Sequence, residues 1–463
     1  MQLIFGIVIF YLLLMVGIGV YGRKHARNFK DYLTTGRRAT MLMIMGSAIG
    51  AHIGSGFVVG GAEAGATFGI AGAWYGIGCG LSYIIVGLAL SKFTYSSGYV
   101  TISDYFKDRY GGNTTRLIYS IATPISASCS LAAQIAAGAS IFVAFGVNGT
   151  WGAIIATSVV IFYSCVSGLW GAYMTSVIQT GIIVAGLLFG GIFIYTQGAG
   201  QVFAALPQGS FQLLPFNSAI WVSMVIPTIT AAFVDQSVFQ RLGSAVNQKA
   251  SKWGHVAGGL LLIPVAFLPP LIGVYGQAIF PDAASSTVFW KVVVERMPVA
   301  LSGLVVAAVL AAVMSTCDII FLAISACLVH DVYKGMIKPD ADDKRCQQIA
   351  VGLNIIAGAF AMLVALRLNN IISILSISYT VISAGCLIPF LAGILWKRGN
   401  QAGAIASAIA GIAVALASTF GLFSLPFDIL SLLAALIAYI VVSLLAAKPP
   451  AAKLPASKPQ AVT

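Results

Sequence analysis

The sequence predicts an all-α polytopic membrane protein, and composition, apolar runs and charge distribution all support this fold class. Of the 463 residues, 59% are hydrophobic and only 8% are charged. Soluble domains carry about 25% charged residues, so this chain has too little charge to cover a surface in contact with water. Apolar runs of about 20 residues recur along the chain, and each is long enough to cross a bilayer as a helix.

The apolar runs predict about thirteen transmembrane helices in a single domain, residues 1–447. The expected spans are 2–21, 39–61, 70–95, 117–145, 150–167, 170–196, 218–241, 254–280, 298–333, 346–367, 370–396, 401–420 and 425–447. The remaining residues, 448–463, are rich in Lys, Pro and Ala, which predicts a disordered tail.

The 25 Lys and Arg residues are divided unequally when successive spans are assigned to alternate sides of the membrane. All but Lys291, Arg296 and Arg367 fall on one side. Cytoplasmic loops carry such an excess, so we expect a multi-pass protein of the cell membrane with its N-terminus outside and its C-terminus in the cytoplasm. This distribution also accounts for the net charge of +12, so no nucleic-acid partner is expected.

Two spans contain residues that interrupt a helix. Residues 49–57 read IGAHIGSGF, and residues 226–230 read IPTIT, in which Pro227 removes a helix hydrogen bond. Paired breaks in two halves of a chain indicate an inverted-repeat transporter with a binding site near the midplane. Glycine and proline are also common in ordinary membrane helices, so this pattern alone leaves both interpretations open.

The ninth span supplies oxygen atoms of the kind that a hard cation binds. Ser315 and Thr316 offer two hydroxyls on one turn, and a carbonyl freed near Ala312 offers a third. Unwound backbone near Gly50 and Ile53 would offer two more. Ser and Thr hydroxyls in membrane helices also bond to the preceding turn, so the residues alone allow a purely structural role as well.

Several motifs follow one another in the order found in a known transporter family. They are DY at 31–32 with GR at 36–37, DQ at 235–236 with QR at 240–241, AAVMST at 311–316 with DVYK at 331–334, and LWKR at 395–398 with AGA at 402–404 and Gly411. The chain therefore resembles the sodium/solute symporter family over nearly its whole length. That family includes sodium/proline, sodium/galactose, sodium/sialate and sodium/pantothenate carriers.

The resemblance implies a LeuT-type fold with ten core helices in two inverted repeats of five, about 39–196 and 218–396. One extra helix precedes the core and two follow it. The resemblance also implies sodium-coupled symport of a small polar organic solute by alternating access. An amino acid such as proline is the first expectation, and a monocarboxylate, a pantothenate-like molecule or a sugar is an alternative.

The resemblance places the co-transported sodium ion at five positions. These are the backbone carbonyls of Gly50, Ile53 and Ala312 and the hydroxyls of Ser315 and Thr316. Some family members hold a second sodium ion with the aspartate of a Thr-Asp pair in the fifth core helix. Here Thr175 is followed by Ser176, so a second site of that design is not expected.

Five residues are candidates for contact with the solute: His52, Ser55, Phe57, Gln134 and Asp318. His52 lies in the predicted helix break and either contacts solute, acts as a proton switch near neutral pH or has a structural role. Asp318 either replaces the charge missing at Ser176, takes a proton, or is hydrogen-bonded to neighbouring helices. An ionisable residue within a span is costly to bury and is commonly functional.

Three rival functions follow from the same residues. A proton-coupled carrier of the same fold would use titration of Asp318 and His52. A solute sensor that kept the transporter fold would need a signalling partner. A membrane-embedded enzyme is not expected, because the sequence contains neither an HExxH nor a GxSxG motif.

Overall fold

The structure, a computed structural model, describes residues 2–23, 29–166, 169–214, 220–367, 371–419 and 427–446. The predicted disordered tail, 448–463, lies outside these residues. The described chain is almost entirely helical, and its α-helices are α1 (Gln2–Arg23), α2 (Phe29–Thr34), α3 (Met41–His52), α4 (Ser55–Phe68), α5 (Trp74–Ser97), α6 (Ile102–Tyr110), α7 (Asn113–Ala144), α8 (Gly149–Val166), α9 (Leu169–Ile194), α10 (Gly200–Ala205), α11 (Ile220–Ala232), α12 (Gln236–Ser244), α13 (Gln248–Val265), α14 (Leu268–Ile279), α15 (Ser285–Lys291), α16 (Val299–Ser325), α17 (Asp343–Ala365), α18 (Ile371–Leu395), α19 (Gln401–Thr419) and α20 (Phe427–Leu445).

Within the described residues, nine helical stretches are long and apolar enough to cross a membrane. A tenth span results if α11 and α12, which meet at an angle of 51°, are counted as one broken helix. Large apolar side chains on the outer helices face away from the bundle, as for Phe10 and Leu13 of α1, which are 69% and 68% exposed. Their exposure fits contact with lipid, and the protein is therefore a multi-pass membrane protein.

The first helix break lies between α3 and α4, as the glycine-rich segment predicts. Helix α3 ends at His52, and Ile53 leaves the helical region with φ −76° and ψ 61°. Gly54 is extended, and α4 begins at Ser55. A β-carbon on Gly54 would lie 2.8 Å from Thr316 Oγ1 and 2.9 Å from Gln134 Oε1, so only glycine allows the broken backbone to lie this close to its neighbours.

The second break was predicted around Pro227, and this position is wrong. Helix α11 continues through Pro227 as far as Ala232, and the chain bends only at 233–235. Asp235 caps the next helix, because its Oδ1 accepts hydrogen bonds from the backbone N–H groups of Ser237 at 2.7 Å and Val238 at 3.1 Å. A proline removes a single helix hydrogen bond, whereas a capping aspartate satisfies the free donors of a new helix start.

Helix α16 is the most deeply buried element of the bundle. It packs against α1, α3, α7, α8 and α9, and nearly every residue from Ser302 to Ser325 is buried. The contact between α16 and α3 brings the hydroxyl pair of the ninth predicted span beside the first helix break. The fold thus joins Ser315 to Gly50, which lies 265 positions earlier in the sequence.

A buried ion-pair cluster joins α6, α7 and the helical turns that follow α16. Arg116 Nη2 lies 3.1 Å from Asp104 Oδ1 and 3.2 Å from Asp331 Oδ1. Asp331 is fully buried and also accepts hydrogen bonds from the hydroxyls of Thr101 and Ser120. Asp331 opens the DVYK motif, so this part of the motif serves to connect three helices at one end of the bundle.

Candidate functional site

The oxygen atoms selected from the ninth span meet the backbone of the first break. Ser315 Oγ donates to the carbonyl oxygen of Gly50 at 2.7 Å and to that of Ala312 at 3.1 Å. Thr316 Oγ1 lies 2.9 Å from the carbonyl oxygen of Ala312 and 3.4 Å from that of Gly50. Two hydroxyls and two carbonyls from separate helices therefore converge, which is the donor set that a hard cation such as sodium binds.

A further carbonyl at this site belongs to a residue that the sequence did not indicate. Ala51 O lies 3.2 Å from Thr316 Oγ1. Ile53, the remaining predicted ligand, is buried at the break, and its N–H donates to Ile49 O at 2.8 Å. No hydrogen bond in the described part of the chain links the Ile53 carbonyl to the hydroxyl pair.

Helix α9 closes the third side of this group of oxygens. A β-carbon on Gly50 would lie 3.3 Å from Thr180 Oγ1, 3.4 Å from Ser315 Cβ and 3.5 Å from Ser176 Cβ. Thr180 Oγ1 donates to Gly46 O at 2.9 Å, whereas the buried Ser176 Oγ has no partner among the described residues. Ser176 therefore presents an unused oxygen beside Gly50, without the charge that an aspartate would bring there.

A central cavity lies beside these oxygens, between the two helix breaks. His52 and Thr316 line it on the side of the first break, and Asp235 lines it on the side of the second. Gln134 of α7 and Tyr379 of α18 contribute further polar groups. Thr316 thus belongs both to the cavity wall and to the oxygen cluster, so an ion and a solute would share one side chain.

One wall of the cavity is rich in hydroxyl groups that the sequence did not single out. Ser378 Oγ lies 3.0 Å from Ser126 Oγ and 2.8 Å from Ser130 Oγ. On the adjoining wall, the hydroxyls of Tyr75 and Tyr379 are 3.2 Å apart. Ser126 and Ser130 are four positions apart and therefore lie on one face of α7. This spacing is the feature of the sequence that could have indicated a polar wall.

The predicted solute residues are only partly brought together. His52 and Gln134 line the cavity, and Gln134 Oε1 accepts a hydrogen bond from the backbone N–H of Ser55 at 2.9 Å. The Ser55 hydroxyl is buried without a partner in the described residues. Phe57 packs against α5, where a β-carbon on Gly76 would lie 2.8 Å from its ring, so this side chain does not line the cavity.

Asp318 also lies away from the cavity. Its side chain points from α16 towards α8, where Asp318 Oδ1 accepts a hydrogen bond from Ser164 Oγ at 2.5 Å. The residue is only 1% exposed, and its Oδ2 has no partner among the described residues. The position one turn beyond Ser315 therefore places a buried carboxylate behind the oxygen cluster and out of reach of a solute in the cavity.

The fold and the site define a multi-pass membrane transporter, because broken helices that meet at a polar cavity inside a helical bundle are characteristic of secondary carriers. Residues 32–411 match the sequence profile of the sodium:solute symporter family. This match covers most of the chain, and the protein belongs to that family.

Characterised relatives have different named solutes. The chain is 25% identical to sodium/glucose cotransporter 4 of Danio rerio, over 89% of this chain and 70% of the relative. It is also 25% identical to the high-affinity proline transporter PutP of Bacillus subtilis, over 87% of this chain and 89% of the relative. Both relatives are transporters, but their named solutes differ. The comparison therefore does not identify the solute of this chain.

Solved structures show the same fold. A Na⁺-coupled sialic acid symporter in a substrate-bound, outward-open state superposes with a TM-score of 0.82, covers 97% of this chain and 99% of the other, and is 20% identical. The transporter MhsT in complex with L-phenylalanine superposes with a TM-score of 0.58, covers 88% and 99% of the two chains, and is 14% identical. The fold is therefore LeuT-type.

Proposed function

We propose that this protein carries a small polar organic solute across the cell membrane together with sodium, by alternating access. An amino acid such as proline is the first expected solute. The observation that carries the proposal is the convergence of Ser315 and Thr316 on the carbonyl of Gly50 at the first helix break. Membership of the sodium:solute symporter family supports the same ion.

The proposed sodium site comprises the carbonyls of Gly50 and Ala312 and the hydroxyls of Ser315 and Thr316, with Ile53 retained from the family pattern. Both hydroxyls donate to carbonyls in this structure. A bound cation would take the lone pairs of the same four oxygens, so the hydroxyl hydrogens would turn away. Sodium would then hold α3 and α16 together in place of direct hydrogen bonds.

Coupling between ion and solute follows from shared side chains. Thr316 faces both the ion site and the cavity, and Gly54 packs between Thr316 and Gln134. A change in the break on sodium binding would therefore move groups that contact the solute. Such coupling is reciprocal, so solute must also raise the affinity for sodium. One elementary charge crossing a 100 mV potential supplies about 2.3 kcal/mol, enough for a solute gradient of roughly 40-fold.

We further propose thirteen transmembrane helices, in which α3–α4, α11–α12 and α13–α14 each form one interrupted span. The shorter helices α8 and α20 complete that number. In this arrangement the two inverted repeats run over about 39–196 and 218–396. The N-terminus lies outside the cell, because this orientation places most Lys and Arg residues in the cytoplasm.

Sodium itself is the first probe of this proposal. Purified protein in NaCl is expected to unfold at a higher temperature than in an equal concentration of choline chloride, because a ligand of the folded state stabilises it by mass action. The double variant Ser315→Ala, Thr316→Ala should lose this difference. Ser302→Ala is the matched control, since Ser302 is another buried hydroxyl of α16 that bonds to Val293 O at 2.7 Å, outside the site.

Uptake into proteoliposomes tests the transport itself. L-Proline is the first solute to assay, followed by the other amino acids, lactate, pantothenate and glucose, each with an inward sodium gradient and with none at the same pH. We expect at least one solute to accumulate only with sodium. Sodium-dependent uptake that persists in the double variant would contradict the site, and accumulation driven only by a proton gradient would contradict sodium coupling.

A further inference from the structure

The imidazole of His52 is held by a chain of hydrogen bonds that runs back into the bundle. His52 Nδ1 lies 2.6 Å from the hydroxyl of Tyr83, and Arg241 Nη2 lies 2.7 Å from the same hydroxyl. Tyr83 and Arg241 are both fully buried. The three residues come from α3, α5 and α12, so the chain links the two broken helices behind the cavity.

The chemistry of the donors fixes the direction of these hydrogen bonds. A guanidinium group can only donate, so the Tyr83 oxygen accepts from Arg241. The single hydrogen of the Tyr83 hydroxyl then has only His52 Nδ1 as a partner within the described residues. A proton on Nδ1 would leave that hydrogen buried without an acceptor, which is costly. Nδ1 is therefore the acceptor, and the proton of the neutral ring lies on Nε2.

A second buried histidine provides an internal comparison. His255 Nδ1 lies 2.8 Å from the backbone carbonyl oxygen of Ser251. A carbonyl can only accept, so His255 carries its proton on Nδ1 and has an unprotonated Nε2. The rings of His255 and Tyr83 meet edge to face, with their centroids 5.7 Å apart. Two neighbouring histidines are thus expected in opposite tautomers.

The protonated nitrogen of His52 remains available to a ligand. His52 lines the central cavity, and no hydrogen bond to its Nε2 occurs within the described part of the chain. The positive charge of Arg241 lies directly behind Tyr83, and its bonds go to the neutral oxygens of Tyr83 and Ser237. An N–H donor backed by a buried cation favours an anionic oxygen in the cavity.

The same cavity contains a complementary negative group. Asp235 lines it from the second break, with its Oδ1 occupied by the N–H groups at the start of α12 and by the Ser237 hydroxyl. A solute with both a carboxylate and an amino group would therefore find a neutral N–H donor, backed by the buried Arg241 charge, for its carboxylate and the Asp235 carboxylate for its amino group. A sugar has neither charge, and a quaternary amine has no acceptor for His52.

We infer that His52 determines solute specificity by donating a hydrogen bond from its Nε2–H group to a carboxylate oxygen of an amino acid, with Tyr83 and Arg241 as positioning residues that hold it in this tautomer. This inference rests on the proposed solute transport, but it does not depend on which ion drives that transport. It adds to the solute site a hydrogen-bond chain that reaches from the cavity to the Arg241 guanidinium.

Nitrogen-15 NMR of the histidine-labelled full-length protein in nanodiscs tests the tautomer directly. The chain has four histidines, and the signals of His52 and His255 are assigned by their loss in His52→Gln and His255→Gln. We expect at neutral pH an unprotonated Nδ1 and a protonated Nε2 for His52, and the reverse for His255. A His52 ring that is protonated on Nδ1, alone or together with Nε2, would overturn the inference.

Substitutions of His52 and Tyr83 test the hydrogen-bond donor and its positioning residue separately. His52→Gln keeps an N–H donor near the position of Nε2, so solute affinity should stay within about threefold, whereas His52→Leu should lower it at least about tenfold. Tyr83→Phe should allow both tautomers of His52 and weaken solute binding by about three- to tenfold. Tyr105→Phe is its control, because Tyr105 is equally buried but bonds to Phe390 O at 3.3 Å.

The solute class is tested with defined probes: the twenty amino acids, lactate, choline and glucose. Thermal stabilisation in sodium by amino acids, and more weakly by lactate, supports the inference. The inference is overturned if only choline or glucose stabilises the protein, or if none of the carboxylate-containing probes does. Loss of the sodium response in the Ser315, Thr316 double variant is scored separately, so a failure of this inference can be told from a failure of the proposed function.

Discussion

The backbone of Gly54 lies in direct contact with the side chain of Thr316. A β-carbon at Gly54 would be 2.8 Å from Thr316 Oγ1, closer than real β-carbons approach. Because Thr316 lines both the oxygen cluster and the cavity, this contact connects the helix break to both parts of the site. The absence of a side chain at Gly54 is therefore a condition for the geometry of the whole site.

Gly54→Ala should weaken sodium and solute binding together. The added carbon would displace the ends of two side chains, Thr316 and Gln134, and not the backbone, so the protein should still fold. We expect the sodium concentration for half-maximal thermal stabilisation to rise about tenfold, a change equivalent to about 1.4 kcal/mol.

Gly352→Ala is the control for this substitution. Gly352 lies in α17, and nothing lies within 4 Å of a β-carbon at that position. Its sodium response should match the wild type. A Gly54→Ala protein with an unchanged sodium midpoint would show that the contact between Gly54 and Thr316 has no part in ion binding.

Gln134→Met should destabilise the start of α4. Gln134 Oε1 is the acceptor for the backbone N–H of Ser55, and methionine fills similar space without an acceptor. A buried donor left without a partner costs about 1–3 kcal/mol. The free energy of unfolding should fall by this amount in chemical denaturation, and solute affinity should fall with it.

Gln277→Met is the matched substitution outside the site. The Gln277 amide donates to Pro281 O at 3.0 Å near the surface, where water can replace the lost bond. Its effect on unfolding should be within about 0.5 kcal/mol. Equal losses in the two variants would mean that the bond between Gln134 and Ser55 contributes nothing specific.

The predictable parts of this protein are those that local sequence encodes. The glycines around His52 predicted the first break, and the family resemblance grouped Ser315 and Thr316 with Gly50. Pro227 misled the prediction of the second break, because a membrane helix tolerates a proline when neighbouring groups satisfy the free carbonyl. Asp235, which ends the bend by capping α12, belongs to the DQ motif, and that motif gave no indication of a helix cap.

The remaining features depend on contacts between distant segments. The chain from Arg241 through Tyr83 to His52 joins three helices, and no pattern in any one of them indicates it. The placement of Asp318 towards Ser164 and away from the cavity depends on the rotation of α16 within the bundle. The sequence of a span shows which residues it contains, but packing decides which side of the helix faces the cavity.

Asp318→Asn distinguishes sodium coupling from proton coupling. Asparagine keeps an Oδ1 acceptor for the Ser164 hydroxyl and removes the titratable group. Because Asp318 lies outside the cavity and makes no described bond to the hydroxyl pair, sodium-driven uptake should stay within about threefold of the wild type. Uptake is measured in proteoliposomes with a sodium gradient alone and with a proton gradient alone. Sodium coupling would be refuted if a proton gradient alone drove uptake by the wild-type protein and Asp318→Asn abolished that uptake.

Arg116→Met should severely destabilise the end of the bundle where α6, α7 and the DVYK motif meet. Arg116 pairs with both Asp104 and Asp331, and the Asp331 side chain is fully buried. Removing one partner of a buried ion pair costs about 3–5 kcal/mol, and without Arg116 the Asp331 carboxylate would keep only His330 and two hydroxyls as partners. Chemical denaturation of the purified protein should show this loss.

Lys334→Met is the comparison, because it breaks the ion pair between Lys334 and Asp343. The Lys334 side chain is 33% exposed and the Asp343 side chain is 42% exposed. Such a pair contributes at most about 1 kcal/mol, since water and salt screen it. The contrary outcome is that Arg116→Met lowers the free energy of unfolding by no more than Lys334→Met does. In that case the carboxylates of Asp104 and Asp331 would have to be neutralised by groups other than Arg116. The Arg116 cluster would then not be the contact that holds the DVYK segment against α6 and α7.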